Sequence, residues 1–232
     1  MPFRGDRGSI PGMSDRAATV LPDLTGELAL MTDDIKSNRG KPVVRRFNEL
    51  LDALERAHAN YAICGAVALG AHGAERYTKD IDVLVADEHL ELVVTELTGT
   101  MSELGREPAQ GPAKQIRLRA KRAKTDRAVD VDLMAPVDAV EAWALATSVR
   151  ARAFGRKVDV VSSEGLVLMK LRAYLSDPES ERGGQHRTDA MRLLRLGTVD
   201  VAALRQFVRS DAALSAALER VLAAPPPRGR LG

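Results

Sequence analysis

Between residues 43 and 161 the apolar residues change period again and again, and this switching restricts the fold more than any single motif does. Val43, Phe47, Leu50, Leu51 and Leu54 recur at helical spacing, and Tyr61–Cys64 then forms a short apolar run suited to a buried strand. Residues 66–72 are small and apolar, as a short helix packed tightly on a sheet requires, and Gly73 is placed to end it in a left-handed conformation. Residues 81–85 (IDVLV) read as a strand, whereas Leu90, Val93, Val94, Leu97, Met101 and Leu104 predict one amphipathic helix running through Leu104. Two alternating runs follow. Ile116, Leu118 and Ala120 oppose Arg117, Arg119 and Lys121; Val129, Val131 and Leu133 oppose Asp130 and Asp132. A helix is expected from near Pro136, a strand over residues 156–162, and a helix over 164–176 capped by Ser162 or Ser163 with Glu164 in its first turn. Residues 176–185 (SDPESERGGQ) read as an exposed linker, and three short helices over 186–196, 200–209 and 211–223 complete the chain. This order predicts an α/β (α+β) fold, a mixed β-sheet flanked by helices with a helical C-terminal part.

Residues 1–41 mix Gly, Pro, Asp and Arg without period and are expected to be a loose tail, with a short helix around residues 26–31. The α/β core is assigned to 42–161, the helical part of the same domain to 162–223, and a second tail to 224–232. Hydrophobic residues make up 45% of the chain and aromatics only 3%, so the core must be built from Leu, Val, Ala and Met. The formal charge of +2 excludes a polycation, so any nucleic-acid contact must be a local patch. Cys64 is the single cysteine, which excludes an internal disulfide, and a reducing, cytoplasmic setting is expected. The N-terminal residues 1–26 hold no continuous apolar signal-peptide core and no span of about 20 apolar residues, so neither a signal peptide nor a membrane helix is expected there, and Asp6, Asp15 and Asp23 argue against a transit peptide.

Asp80 and Asp82 lie one residue apart at the start of the 81–85 strand. Residues two apart on a strand share a face, so the two carboxylates can converge on one hard cation or bridge two. Asp130 or Asp132, at the edge of another apolar strand, would supply a third acid. Three converging carboxylates repel unless a divalent cation neutralises them, and oxygen-only ligation favours Mg2+ or Mn2+. Such ions hold triphosphate oxygens and lower the pKa of an attacking hydroxyl.

The stretch from Tyr61 to Val85 resembles the opening of the nucleotidyltransferase superfamily, and within it the bacterial AbiEii/MNT-like branch. The resemblance rests on a glycine turn at Gly65, a small helix ending in His72-Gly73, and R-x-T-x-D-x-D carried by Arg76, Thr78, Asp80 and Asp82. Lys170, Arg187 and Asp189 fall on the branch's later pattern, so the likeness covers roughly residues 44–196. It implies Asp80, Asp82 and Asp132 as catalytic and metal-holding residues, with Asp130 as the competitor of Asp132. It also implies nucleotide contacts at Gly65, Ala66, Arg76, Thr78, Lys170 and Asp189. Backbone amides after Gly65 would cradle triphosphate oxygens, and the missing Cβ would let the chain approach them. The implied reaction moves an NMP from an NTP to a hydroxyl acceptor: an RNA 3′ end, a protein side chain or a small molecule. Toxin-like relatives imply an antitoxin partner.

The superfamily often carries Gly-Ser or Gly-Gly where this chain has Gly65-Ala66, and a serine hydroxyl is therefore missing. That departure supports the alternative, a catalytically inactive nucleotide- or protein-binding module, antitoxin-like, on the same fold. Lys114–Arg127 holds seven basic residues and one acid, Asp126. This strand would guide RNA or tRNA, or else blunt a sheet edge against aggregation. His72 reads as a helix-end packing or hydrogen-bonding residue and Cys64 as a small buried hydrophobe.

Overall fold

The computed structural model describes residues 41–74, 78, 80–101, 104–107, 115–120 and 129–224. The expected tail helix around residues 26–31, and Arg76, lie outside the described residues. In chain order the elements are α1 (Lys41–Arg56), β1 (Tyr61–Ile63), α2 (Gly65–Ala71), β2 (Asp80–Val85), α3 (Asp87–Thr100), β3 (Leu104–Glu107), β4 (Gln115–Ala120) and β5 (Asp130–Met134). They continue with α4 (Ala139–Ala146), β6 (Val149–Ala153), β7 (Arg156–Val160), α5 (Ser163–Ser176), α6 (Glu181–Arg195), α7 (Val201–Val208) and α8 (Ala212–Leu222). The strands form one seven-stranded mixed sheet in the order β3-β4-β5-β2-β1-β7-β6. β2 runs parallel to β5 and β1 to β7, and the other neighbours are antiparallel.

The core follows the periods of the sequence. Phe47, Leu50 and Leu54 of α1 and Leu90, Val93 and Leu97 of α3 are buried where the two helices pack together. On β2 the buried Ile81 and Val83 alternate with Asp80 and Asp82, so one face of the strand is apolar and the other begins acidic. α2 and α4 pack against β2; α4 leans on α5, and α5 packs along α6. Local caps set the helix starts. Asp138 accepts from the amides of Val140 and Glu141, Ser162 from Gly165, Asp200 from Ala203 and Asp211 from Leu214, each satisfying amides that lack a helical partner.

Three boundaries differ from the sequence expectation. The helix expected to run through Leu104 ends at Thr100, and Leu104 opens β3. Leu104 is buried either way, because an apolar position satisfies a helix face or a strand face equally, and its pairing with Ala120 decides the matter. Val149–Ala153 forms a strand not expected from the sequence, because alanine is a weak strand former even though Val149, Ala151 and Ala153 alternate with Arg150 and Arg152; it pairs with β7 through a turn at Phe154 and Gly155. Both turn residues have positive φ, 47° and 82°, as primed two-residue hairpins require. The expected linker 176–185 instead contains the start of α6, capped by Ser180, whose hydroxyl accepts from Gly183. A Cβ on Gly183 would lie 1.9 Å from the Asp177 carbonyl oxygen, so glycine there lets the first turn of α6 sit against the turn that precedes it.

Candidate active site

The acidic starts of β2 and β5 lie side by side. In the parallel register Asp80 pairs with Asp130 and Asp82 with Asp132, which places both D-x-D pairs on one face of the sheet. Asp80, Asp82 and Asp132 each offer an oxygen within 4.8 Å of the others. Asp130 is outside that group. It is half-buried and lies 3.7 Å from Nε of Arg119, which also meets Glu107 at 3.1 Å. Burial raises the Asp130 carboxyl, with Arg119 opposing.

Thr78 and Gly65 set the positions of the first two acids. The Thr78 hydroxyl donates to the Asp80 backbone carbonyl at 3.0 Å and is also bonded to its carboxylate. Thr78 therefore orients Asp80. Asp82 is held by the turn between β1 and α2: its carbonyl accepts from the Cys64 amide at 2.9 Å, and its carboxylate fills the space beside Gly65. Gly65 has φ +60°, and a Cβ there would stand 1.8 Å from Oδ2 of Asp82. The residue is thus required twice over, for its left-handed backbone and for the approach of Asp82. Burial, Asp80 and Asp132 together push the Asp82 carboxyl up to about 6, against the opposing pull of Lys170 and Arg182.

Two cations from the helical part, Lys170 and Arg182, act electrostatically on Asp82. Lys170 of α5 is buried, and its Nζ lies 3.6 Å from Oδ2 of Asp189 on α6; Gln185 donates to the same carboxylate at 3.4 Å. Arg182, in the first turn of α6, is exposed and near enough for its charge to act on Asp82. Sequence reasoning missed Arg182 because it falls in the segment taken for a linker. Arg187, one turn further on, is exposed. Ala66 is buried in α2 next to the glycine turn.

The third acid has a cation of its own. Asp132 is buried and takes a bidentate contact from Arg117, with Nε donating to Oδ1 at 2.6 Å and a terminal nitrogen to Oδ2. Those hydrogen bonds raise the Arg117 guanidinium further above its ordinary value. Of the expected basic strand, Lys114 and residues 121–127 lie outside the described residues, whereas Arg117 and Arg119 are engaged by Asp132, Glu107 and Asp130. The alternation that puts them on one face of β4 also sets them opposite the acids of β5 and β3, so their charge is already matched within the sheet. His72 donates from Nε2 to the Val161 carbonyl at 2.8 Å, and burial lowers its pKa, consistent with a structural helix-end residue. Burial pushes the Cys64 thiol well up.

A glycine turn, a D-x-D strand and a third carboxylate on the adjacent parallel strand of a mixed sheet define the nucleotidyltransferase fold. The chain belongs to the family of the nucleotidyl transferase AbiEii toxin of type IV TA systems, whose sequence model matches residues 49–228. No curated protein matches the chain by sequence. Among solved structures, ANT(2")-Ia in complex with adenylyl-2"-tobramycin superposes with a TM-score of 0.50 at 19% identity, over 72% of this chain and 97% of that one. An antigenic nucleotidyltransferase-like protein from Paracoccidioides brasiliensis gives 0.46 at 19% identity, over 75% and 91%. At these identities the likeness is one of fold.

Proposed function

We propose that the protein is a divalent-metal-dependent nucleotidyltransferase that moves a nucleoside monophosphate from an NTP to a hydroxyl, releasing pyrophosphate. The observation that carries this reading is the convergence of Asp80, Asp82 and Asp132 within 4.8 Å at the mouth of a parallel strand pair. The donor set fits a hard cation. It is oxygen only, it is partly withdrawn from water, and the Asp82 carboxyl is raised to about 6 by burial and by its acidic neighbours, a penalty that a cation would relieve. Bound Mg2+ or Mn2+ would neutralise phosphate charge and favour ionisation of the attacking hydroxyl.

The chain's own residues supply the rest. Thr78 and the Gly65 turn hold Asp80 and Asp82 in place. Asp132 receives the proton of the acceptor hydroxyl as its oxygen bonds to the α-phosphorus and the bond to pyrophosphate breaks. Lys170, with Asp189 fixing it, and the start of α2 at Gly65 and Ala66 are the groups proposed to meet the triphosphate, and Arg76 is proposed as a further nucleotide contact from its place in the sequence motif. Family membership supports a toxin-like role with an antitoxin partner, and an RNA 3′ end is the acceptor to try first, ahead of a protein or small-molecule hydroxyl. The setting proposed is cytoplasmic; among the described residues no helix is long and apolar enough to cross a membrane.

The test is incubation with each labelled NTP, total RNA and Mg2+, followed by identification of the labelled product. Asp80→Ala and Asp82→Ala are each expected to abolish Mg2+-dependent transfer while retaining the wild-type circular dichroism spectrum. Undiminished transfer in both variants refutes the proposal.

A further inference from the structure

The row of residues that crosses the sheet at Asp82 continues past the carboxylates. β5 sets Asp132 beside Asp82, β4 sets Arg117 beside Asp132, and β3 sets Glu107 beside Arg117. Register partners share a face, so the row reads acid, acid, cation, acid across four strands. Arg117 covers both oxygens of Asp132. The Asp132 side chain is 2% exposed and that of Arg117 is 30% exposed. The carboxylate is therefore fixed, while the guanidinium has a way out. Glu107, on its outer side, is 41% exposed and at present serves Arg119.

We infer that Arg117 is the displaceable counter-cation of the carboxylate triad: in the ion-free protein it neutralises and orients Asp132, and on entry of a divalent cation it gives up that carboxylate and turns outward to Glu107. The inference rests on the functional reading of Asp80, Asp82 and Asp132 as a cation seat. The physical reason is competition for the same oxygens. A hard cation must approach carboxylate oxygens to about 2.0–2.6 Å, and at that range it meets the guanidinium in a weakly screening environment. Before the cation arrives, three converging acids repel, and the Arg117 contact offsets part of that repulsion at the most buried of the three. Arg117 acts through Asp132 and is a positioning residue in this scheme.

The experiment is Mn2+ binding to the full chain without nucleotide, read from the electron paramagnetic resonance signal of free Mn2+. It compares wild type with Arg117→Met, Glu107→Gln and Asp82→Asn. Arg117→Met, which keeps an unbranched stem on β4, is expected to bind Mn2+ about tenfold more tightly because its competitor is gone. Its ion-free melting temperature falls at low salt, and Mn2+ raises it by more than in wild type. Glu107→Gln is expected to bind about threefold more weakly, since the outward seat has lost its charge. A folded Arg117→Met that binds Mn2+ equally or less tightly overturns the inference. If that variant does not fold, unchanged affinity in Glu107→Gln overturns it. Asp82→Asn separates the two readings. Wild-type affinity in Asp82→Asn removes the cation seat and both proposals with it; lost affinity there, without tightening in Arg117→Met, overturns only the role of Arg117.

Discussion

Gly65→Ala tests how the site is built, because it adds a single methyl group at the point where the turn and the carboxylate touch. Gly65 sits at φ +60°, where an alanine costs about 1–2 kcal/mol of backbone strain. The new Cβ would stand 1.8 Å from Oδ2, 2.6 Å from Cγ and 2.9 Å from Cβ of Asp82, so turning the carboxylate tip alone does not relieve the overlap. The whole Asp82 side chain or the β1–α2 turn must move, which adds about 1–3 kcal/mol of overpacking. The total of about 2–5 kcal/mol corresponds to a melting temperature lower by about 5–15 °C in a chain of this size. Gly73→Ala is the internal control: φ is +83°, but nothing lies within 4 Å of an added Cβ, so only the backbone part is lost. Thermal melts of both variants, with Mn2+ binding measured on each, separate the two contributions. Gly65→Ala should lose the larger amount and also weaken Mn2+ binding, because Asp82 is displaced. Equal destabilisation in the two variants, with Mn2+ binding intact in both, would show that Gly65 does not shape the position of Asp82.

The same carboxylate makes stability depend on pH. The Asp82 carboxyl is raised from 3.8 to about 6, so the folded protein holds this proton more tightly than the unfolded chain does. Its contribution is therefore most favourable at low pH, declines as pH rises through that window, and levels off above it, by about 3 kcal/mol at most. Asp82→Asn should melt about 5 °C above wild type at pH 8 in the presence of a chelator and show no such gain at pH 4; a gain independent of pH contradicts the assignment. Lys170→Met removes the ammonium that lies 3.6 Å from the buried Asp189 carboxylate and should cost about 1–3 kcal/mol in urea unfolding, part of which the double variant with Asp189→Leu restores. A double variant whose loss equals the sum of the Lys170→Met and Asp189→Leu losses would place no coupling between the two. Ser162→Ala removes the acceptor for the Gly165 amide and should cost about 1 kcal/mol by the same measurement, whereas an unchanged midpoint would mean the cap contributes nothing.

Much of the architecture is local and therefore readable in the chain. The helical periods at Phe47–Leu54 and Leu90–Leu97, the capping serine before α5, the left-handed Gly73 and the apolar alternation of β2, β4 and β5 all report on neighbours within a few residues. Where the expectation was displaced, the deciding contact was distant or ambiguous. Leu104 became a strand residue by pairing with Ala120, and residues 181–185, whose polar and glycine-rich composition suits a loop or a helix start, open α6 behind the Ser180 cap.

By itself, the sequence determined that two strands begin with paired aspartates on a polar face and that a glycine turn precedes the first, since strand alternation and glycine's conformational range are properties of the local backbone. Only the tertiary structure decided what those residues meet. The parallel register of β2 with β5 brings Asp132 to Asp80 and Asp82 and leaves Asp130 with Arg119, although alternation alone makes the two acids equivalent. The antiparallel register of β4 turns Arg117 from a member of a basic strip into the partner of Asp132. The fold also gives Gly65 an occupant for its missing side chain, the carboxylate of Asp82, where the sequence pointed only to an incoming phosphate. Register and close approach depend on residues far apart in the chain, and so they emerge only when the sheet closes.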